Sequence, residues 1–316
     1  MTATPPEANE GPKEPPVRQP SIQPFAGRIG GNQALVADPN DSSNRSLLEK
    51  VPDAGPYMRL SQILDLRGFT DLNLWKFALI ECAGTMMLCF ITAWIGLSGA
   101  SSSSATTTSA AGVFATTAFL DPLVGGITNW IWLSLFIFIF GPISGGHLNP
   151  TITMATFFAR LISLPRTVLY ILAQTVGGTL AGLILHAAYG NGDFTVGGCI
   201  VEVALVQPRQ AFLLEFMCSL ILLFVAFGVA LNPRQEHVYG PGQAPWMVGL
   251  TLGTLSFGSA FSLTGYAGAS MNPARCFGVY IATGFPGYHW LHWVGPFAAA
   301  VGHAIMYHLL PPWIAE

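Results

Sequence analysis

At 316 residues, 51% hydrophobic and only 9% charged, the chain carries too little charge for a soluble domain and reads as a membrane protein. A net charge of −3 argues against a nucleic-acid partner held by a basic surface. No catalytic constellation or metal-ligand spacing appears, so neither an enzyme nor a cofactor is expected.

The charge is uneven: 8 of the 13 Lys/Arg and 9 of the 16 Asp/Glu lie within the first 76 residues. The first 56 residues are rich in Pro, Asn, Ser and Gln, a composition that cannot bury enough apolar surface to offset its ordering entropy. Residues 60–74 form either a short amphipathic surface segment or a lead-in to the first span. Residues 1–70 therefore read as a disordered cytoplasmic tail and 71–316 as the folded body. The tail lacks the apolar core of a signal peptide, so the first span is expected to act as the targeting signal.

Six apolar runs long enough to cross a bilayer follow, near 75–97, 123–143, 167–189, 211–231, 246–264 and 290–310. After the second comes SGGHLNPT at 144–151, and after the fifth GASMNPARC at 268–276. In each, Asn suits a helix N-cap and Pro the first helical position. The apolar run behind each is only about ten residues, roughly 15 Å of helix against a hydrocarbon core of about 30 Å. Two half-helices entering from opposite faces and meeting at their Asn-Pro ends would cross together, and such broken helices mark sites at the membrane midplane.

The pattern of three spans and an insert occurs twice, at about 75–189 and 209–311, and each copy opens with a carboxylate in its first span, Glu81 and Glu215. The first copy carries an insertion at 98–120 that includes the Ser/Thr run 101–109. An odd number of spans per copy inverts the second relative to the first. Arg59, Arg67, Lys76, Arg160, Arg166 and Arg234 then share one side, which the positive-inside rule makes cytoplasmic, with both termini. Gly178 with Gly182 and Gly249 with Gly253 would let the third and fifth helices approach their neighbours closely.

The paired boxes, 123 positions apart and the second continuing Ala274-Arg275, resemble those of the aquaporin, or major intrinsic protein, family over about 74–311. Thr151 where most members have Ala, Cys276 after Arg275, and Gly197-Gly198-Cys199 resemble the X intrinsic proteins of plants and fungi. The resemblance implies an all-α membrane protein of six transmembrane helices plus two re-entrant half-helices in an inverted repeat. It also implies a homotetramer with one pore per subunit.

The pore motifs are Asn149, Pro150, Thr151, Asn272, Pro273 and Ala274. Two facing helix N-termini, each with roughly +0.5 of a charge, disfavour cations and hydrated protons at the midplane. The Asn side chains offer N–H donors to a passing oxygen, and the nonhelical carbonyls of Gly145, Gly146, His147, Gly268, Ala269 and Ser270 form a track for solute donors, since such backbone is tolerated only along a cavity. Arg275 would repel cations at an outer constriction. The resemblance completes that constriction with Asn129, Ala260 and Ala269, although Asn129 could instead face another helix.

Two alanines leave the aperture wide, which implies passage of glycerol or urea, with hydrogen peroxide or boric acid as further candidates, and some water. A water-selective pore is the alternative. The resemblance makes Glu81 and Glu215 acceptors for the half-helix loops, whereas a proton-coupled transporter would use them as coupling carboxylates. A scaffold with a closed pore is a third reading. Cys82, Cys89 and Cys218 read as packing residues; Cys199 and Cys276, both toward the outer face, could pair, respond to oxidants or do neither, since sequence cannot put them in contact. The expected setting is the plasma membrane, with lipid, small neutral solutes and water as partners.

Overall fold

A chain in hydrocarbon has to satisfy its peptide groups internally, and every long apolar run of the body is helical. The computed structural model describes residues 25–29, 36–99, 117–232 and 242–309. The short helices α1 (Arg45–Lys50) and α2 (Leu60–Ile63) precede α3 (Leu72–Ile95), strand β1 (Leu97–Gly99), α4 (Thr117–Ser144), half-helix α5 (Pro150–Phe158), α6 (Leu164–Tyr189) and strand β2 (Phe194–Val196). The second copy comprises α7 (Pro208–Ala226, prolonged by the π turn Phe227–Leu231), α8 (Ala244–Ser262), half-helix α9 (Pro273–Thr283) and α10 (Leu291–Leu309). Four helices, α3, α4, α6 and α7 with its π turn, are long and apolar enough to cross a membrane. The other two, α8 and α10, have 19 residues each, about 28 Å of helix.

Packing follows the inverted repeat. Helix α3 packs on α6 and α7 on α10 within the copies, α4 packs on α8 between them, and each half-helix lies against the last helix of the other copy, α5 on α10 and α9 on α6. Small residues make the crossings possible: a Cβ at Gly178 would lie 2.1 Å from the Ala274 carbonyl oxygen, and one at Gly278 2.0 Å from that of Gly178. Gly249 and Gly253 meet Ser134, Trp130 and Gly126 of α4 in the same way. β1 pairs antiparallel with β2, tying the loop after α3 to the loop after α6.

The expected disordered tail differs from what the described residues show. Residues 25–29 are all buried, α1, α2 and three 3-10 turns occupy much of 42–70, and Met58 is 0% exposed with its N–H on the Arg160 carbonyl. Composition averages over the stretch, whereas docking needs only a few residues and a receptive surface. That surface is built by the body: Arg166, expected as a loop cation, is buried and paired with Asp53 at 2.7 Å. The Ser/Thr run at 101–109, with Arg234 and residues 1–24, lies outside the described residues.

Because the α6–α9 crossing is backbone against backbone, Gly278→Ala is expected to cost about 1–3 kcal/mol of overpacking and to lower the melting temperature of the purified protein. Gly258→Ala, where an added Cβ meets nothing within 4 Å, should leave it unchanged.

Candidate functional site at the meeting of the half-helices

Each half-helix begins with an extended Asn whose side-chain oxygen caps its own helix. Asn149 Oδ1 accepts from Thr151 N at 2.8 Å and Asn272 Oδ1 from Ala274 N at 3.1 Å, with Pro150 and Pro273 at the first helical position. Fixing the oxygen also fixes the nitrogen. Asn149 Nδ2 donates to the Met271 carbonyl at 2.9 Å, and Asn272 Nδ2 to the Leu148 carbonyl at 3.1 Å. The two ends are thus joined by a reciprocal pair of bonds. Thr151 adds one more, its hydroxyl donating to Met271 O at 2.9 Å. Each amide nitrogen keeps a second N–H, and both Asn residues line a cavity of about 470 Å³.

The loops before the boxes are held by the two carboxylates. Glu81 accepts from His147 N at 3.1 Å and Leu148 N at 2.6 Å; Glu215 accepts from Ser270 N at 2.8 Å and Met271 N at 3.1 Å. Leu148 and Met271 occupy equivalent left-handed positions, φ 49° and 54°, which cost about 1–2 kcal/mol each for a residue with a side chain. Charge-assisted bonds to carboxylates offset that cost. The rest of each carboxylate's shell differs: Ser144 and Gln174 for Glu81, Tyr266 and His292 for Glu215.

Asn129, Ala260, Ala269 and Arg275 all lie on the wall of the same cavity. Asn129, on α4, is partly buried. Ala260 abuts Gly268, where a Cβ would come within 3.0 Å of the Ala260 Cβ, and Ala269 N donates to Ser259 Oγ at 2.8 Å. Arg275 donates through Nη2 to Gly197 O at 2.8 Å and Thr92 O at 3.4 Å, and through Nε to Thr92 Oγ1 at 3.3 Å. Gly198 has φ +84°, and a Cβ there would lie 2.7 Å from Arg275 Nη1, so glycine is needed beside the guanidinium. Cys199 and Cys276 form a disulfide with Cα atoms 5.3 Å apart, fastening the loop after β2 to α9. The pairing, left open by the sequence, is present in the structure.

The carbonyl track is shorter than expected. His147, Gly268, Ala269 and Ser270 line the cavity, but Gly145 and Gly146 do not. The Gly145 carbonyl accepts instead from Ile29 N at 2.8 Å, and Gly146 packs on the backbone of Gly141. Sequence reasoning also missed Thr92, Ser144, Gln174, Ser259, Tyr266 and His292. For Thr92, Gln174, Ser259 and His292 the available signal was a polar residue inside an apolar span, which needs a partner there; Ser144 and Tyr266 lie just beyond the spans.

The family profile described as major intrinsic protein matches residues 68–307. Among curated relatives, Aquaporin TIP4-3 of Zea mays is 33% identical over 226 residues, covering 71% of this chain and 84% of that protein. Probable aquaporin TIP4-2 of Oryza sativa subsp. japonica is 38% identical over 168 residues, 53% of this chain. The match spans 62% of that rice protein and 63% of Probable aquaporin TIP4-1 from the same plant. Among solved structures, the aquaglyceroporin from Plasmodium falciparum superposes with a TM-score of 0.51 at 18% identity, covering 75% of this chain and 96% of that one, a likeness of fold.

Removing the Glu215 carboxylate strands two buried N–H groups, at about 1–3 kcal/mol each. Glu215→Ala should therefore lower the thermal midpoint of the purified protein markedly, and Glu215→Gln, which keeps an acceptor, by less.

Proposed function

Since the chain belongs to the major intrinsic protein family, we propose that it is a passive transmembrane channel for small neutral solutes, glycerol and urea foremost, with some water. Hydrogen peroxide and boric acid fall within the same class of small uncharged hydroxylic molecules. The observation that supports the reading is that Asn129, Ala260, Ala269 and Arg275 line one cavity, two of them with the small side chain of alanine and one with a neutral polar group.

Arg275 presents its charge to the cavity at one end, and a cation about 4 Å away meets roughly 4 kcal/mol of repulsion at an effective dielectric near 20. At the midplane the free N–H of Asn149 and of Asn272 each donate to a solute oxygen. An oxygen accepting two such bonds has fewer lone pairs for a water wire, which disfavours proton relay. Carbonyls of Gly268, Ala269, Ser270 and His147 accept from solute hydroxyl or amide groups. Neither Glu81 nor Glu215 lies on the cavity wall, which favours a channel over a proton-coupled transporter.

The proposal extends to setting. The apolar outer faces of the helices, with Leu79, Ile139 and Leu213 exposed, suit lipid or further copies in a homotetramer. Arg59, Arg67 and Arg160 place both termini in the cytoplasm by the positive-inside rule. The multi-pass membrane location follows from the family, and the plasma membrane is proposed on the sequence alone. The X intrinsic subfamily is supported by Thr151, Cys199 and Cys276.

A water-selective pore is favoured instead by the names of the plant relatives, which are aquaporins. Stopped-flow light scattering of proteoliposomes in glycerol or urea gradients separates the two: accelerated reswelling after shrinkage supports the solute channel, and fast shrinkage alone supports water selectivity. Ala260→Phe should raise the solute barrier by about 1.4 kcal/mol or more, about tenfold in glycerol flux, with a much smaller loss of water flux. Equal losses of both would sink this placement of the constriction.

A further inference from the structure

Residues 25–29 pack on the loop that precedes α5, and Ile29 lines the cavity. Phe25, Ala26, Arg28 and Ile29 are at most 3% exposed, in a stretch whose composition gives no reason for order. Their partners belong to the pore loop and the end of α4. Ile29 N donates to Gly145 O at 2.8 Å. His147 Nε2 lies 2.6 Å from Gly27 O, and since a carbonyl only accepts, that nitrogen carries the proton. Arg28 Nη1 donates to Gly141 O at 2.7 Å and also to Pro142 O, carbonyls at the C-terminal end of α4 where a cation is favoured. The Phe25 ring lies 4.1 Å from the Arg166 guanidinium, and Ala26 N donates to Asp53 O at 2.8 Å. The pore loop has glycine where the ring rests: a Cβ at Gly145 would lie 2.5 Å from Phe25 Cε1.

We propose that residues 25–29 are an autoinhibitory plug, docked in this mouth of the pore and displaced for full conduction; the proposal rests on the channel reading above. Ile29 is a wall of the same cavity that Asn149 and Arg275 line. It brings an apolar side chain with no donor or acceptor into a passage that works by replacing a solute's hydrogen bonds. The docked segment also takes over the Gly145 carbonyl and one nitrogen of His147. From His147 a chain of bonds leads inward: Nδ1 to Thr153 Oγ1 at 3.1 Å, Gln174 Nε2 to Thr153 Oγ1 at 3.0 Å, and Gln174 Nε2 to Glu81 at 2.9 Å. The plug therefore bears on the carboxylate that holds the first box. Five residues with no helix or strand among them, held by two backbone bonds and by the side chains of Arg28 and His147, form a short unit that can dock and leave as one.

The test compares glycerol flux in proteoliposomes carrying the full chain, a variant lacking residues 1–29, and the full chain with Phe25→Ala and Arg28→Ala. Loss of the charged bonds to two carbonyls should shift the docked-to-undocked ratio about tenfold, so both variants should conduct several-fold faster, and a synthetic peptide of residues 20–32 should slow the truncated form. Equal flux from all three, above that of bare lipid, overturns the plug and leaves the channel standing; no flux from any overturns both. Accessibility gives a second measurement. A maleimide should label Ile29→Cys slowly in the otherwise native chain and at least about tenfold faster with Phe25→Ala and Arg28→Ala; equally fast labelling in both overturns docking whatever the fluxes.

Discussion

Two amide groups hold the centre of this protein together. Asn149 and Asn272 each cap their own half-helix with the side-chain oxygen and reach across with the nitrogen to the carbonyl preceding the other's cap. Bonded to each other's backbone, two short helices that could not span alone become one crossing unit whose peptide groups are satisfied within the protein. The rest of the body serves that meeting. The glycine crossings of α6 with α9 let the second half-helix sit deep enough, and the carboxylates hold Leu148 and Met271 in the left-handed conformation that aims both carbonyls at the opposing Asn.

The repeat is close in backbone and broken in chemistry. Three residues after Asn272 stands Arg275, and three after Asn149 stands Ile152, and both line the cavity. The charged side chain that follows the second Asn thus has an apolar counterpart after the first. The loops follow suit: the loop after β2 is fastened to α9 by the Cys199–Cys276 disulfide, whereas the loop at the first box is overlaid by residues 25–29, through His147 and Gly145.

Much of the body was legible in the sequence because its signals are local. Six apolar runs, two Asn-Pro boxes and two equivalent carboxylates are each read within a short window, and their repetition supplies the topology. What escaped was long-range. Gly27 meets His147 across 120 positions, and nothing in Phe25 or Arg28 advertises a partner; averaged with neighbouring Pro, Ser and Gln, they read as disordered. Thr92 looked like an ordinary small residue of an apolar span until Arg275 was placed beside it. The carbonyl track was overextended for a related reason: irregular backbone in a membrane has to be satisfied somewhere, but by solute or by another stretch of chain is a matter of tertiary contact.

Arg166 and Arg275 show how the surroundings decide what a charge does. Arg166 is paired with Asp53 at 2.7 Å and stacked on Phe25, so its field is largely cancelled and it acts as structural cement. Arg275 is held as firmly, yet its acceptors are the Gly197 and Thr92 carbonyls and the Thr92 hydroxyl, and among the described residues no carboxylate pairs with it. Neutral acceptors restrain a long side chain with about 2 kcal/mol of rotamer entropy without neutralising it. A nearby carboxylate would have oriented the guanidinium equally well, but it would have offered a passing cation a partner in place of a barrier. Holding the arginine by backbone carbonyls, in a loop fastened by a disulfide and a strand pair, keeps the charge both fixed and facing the cavity.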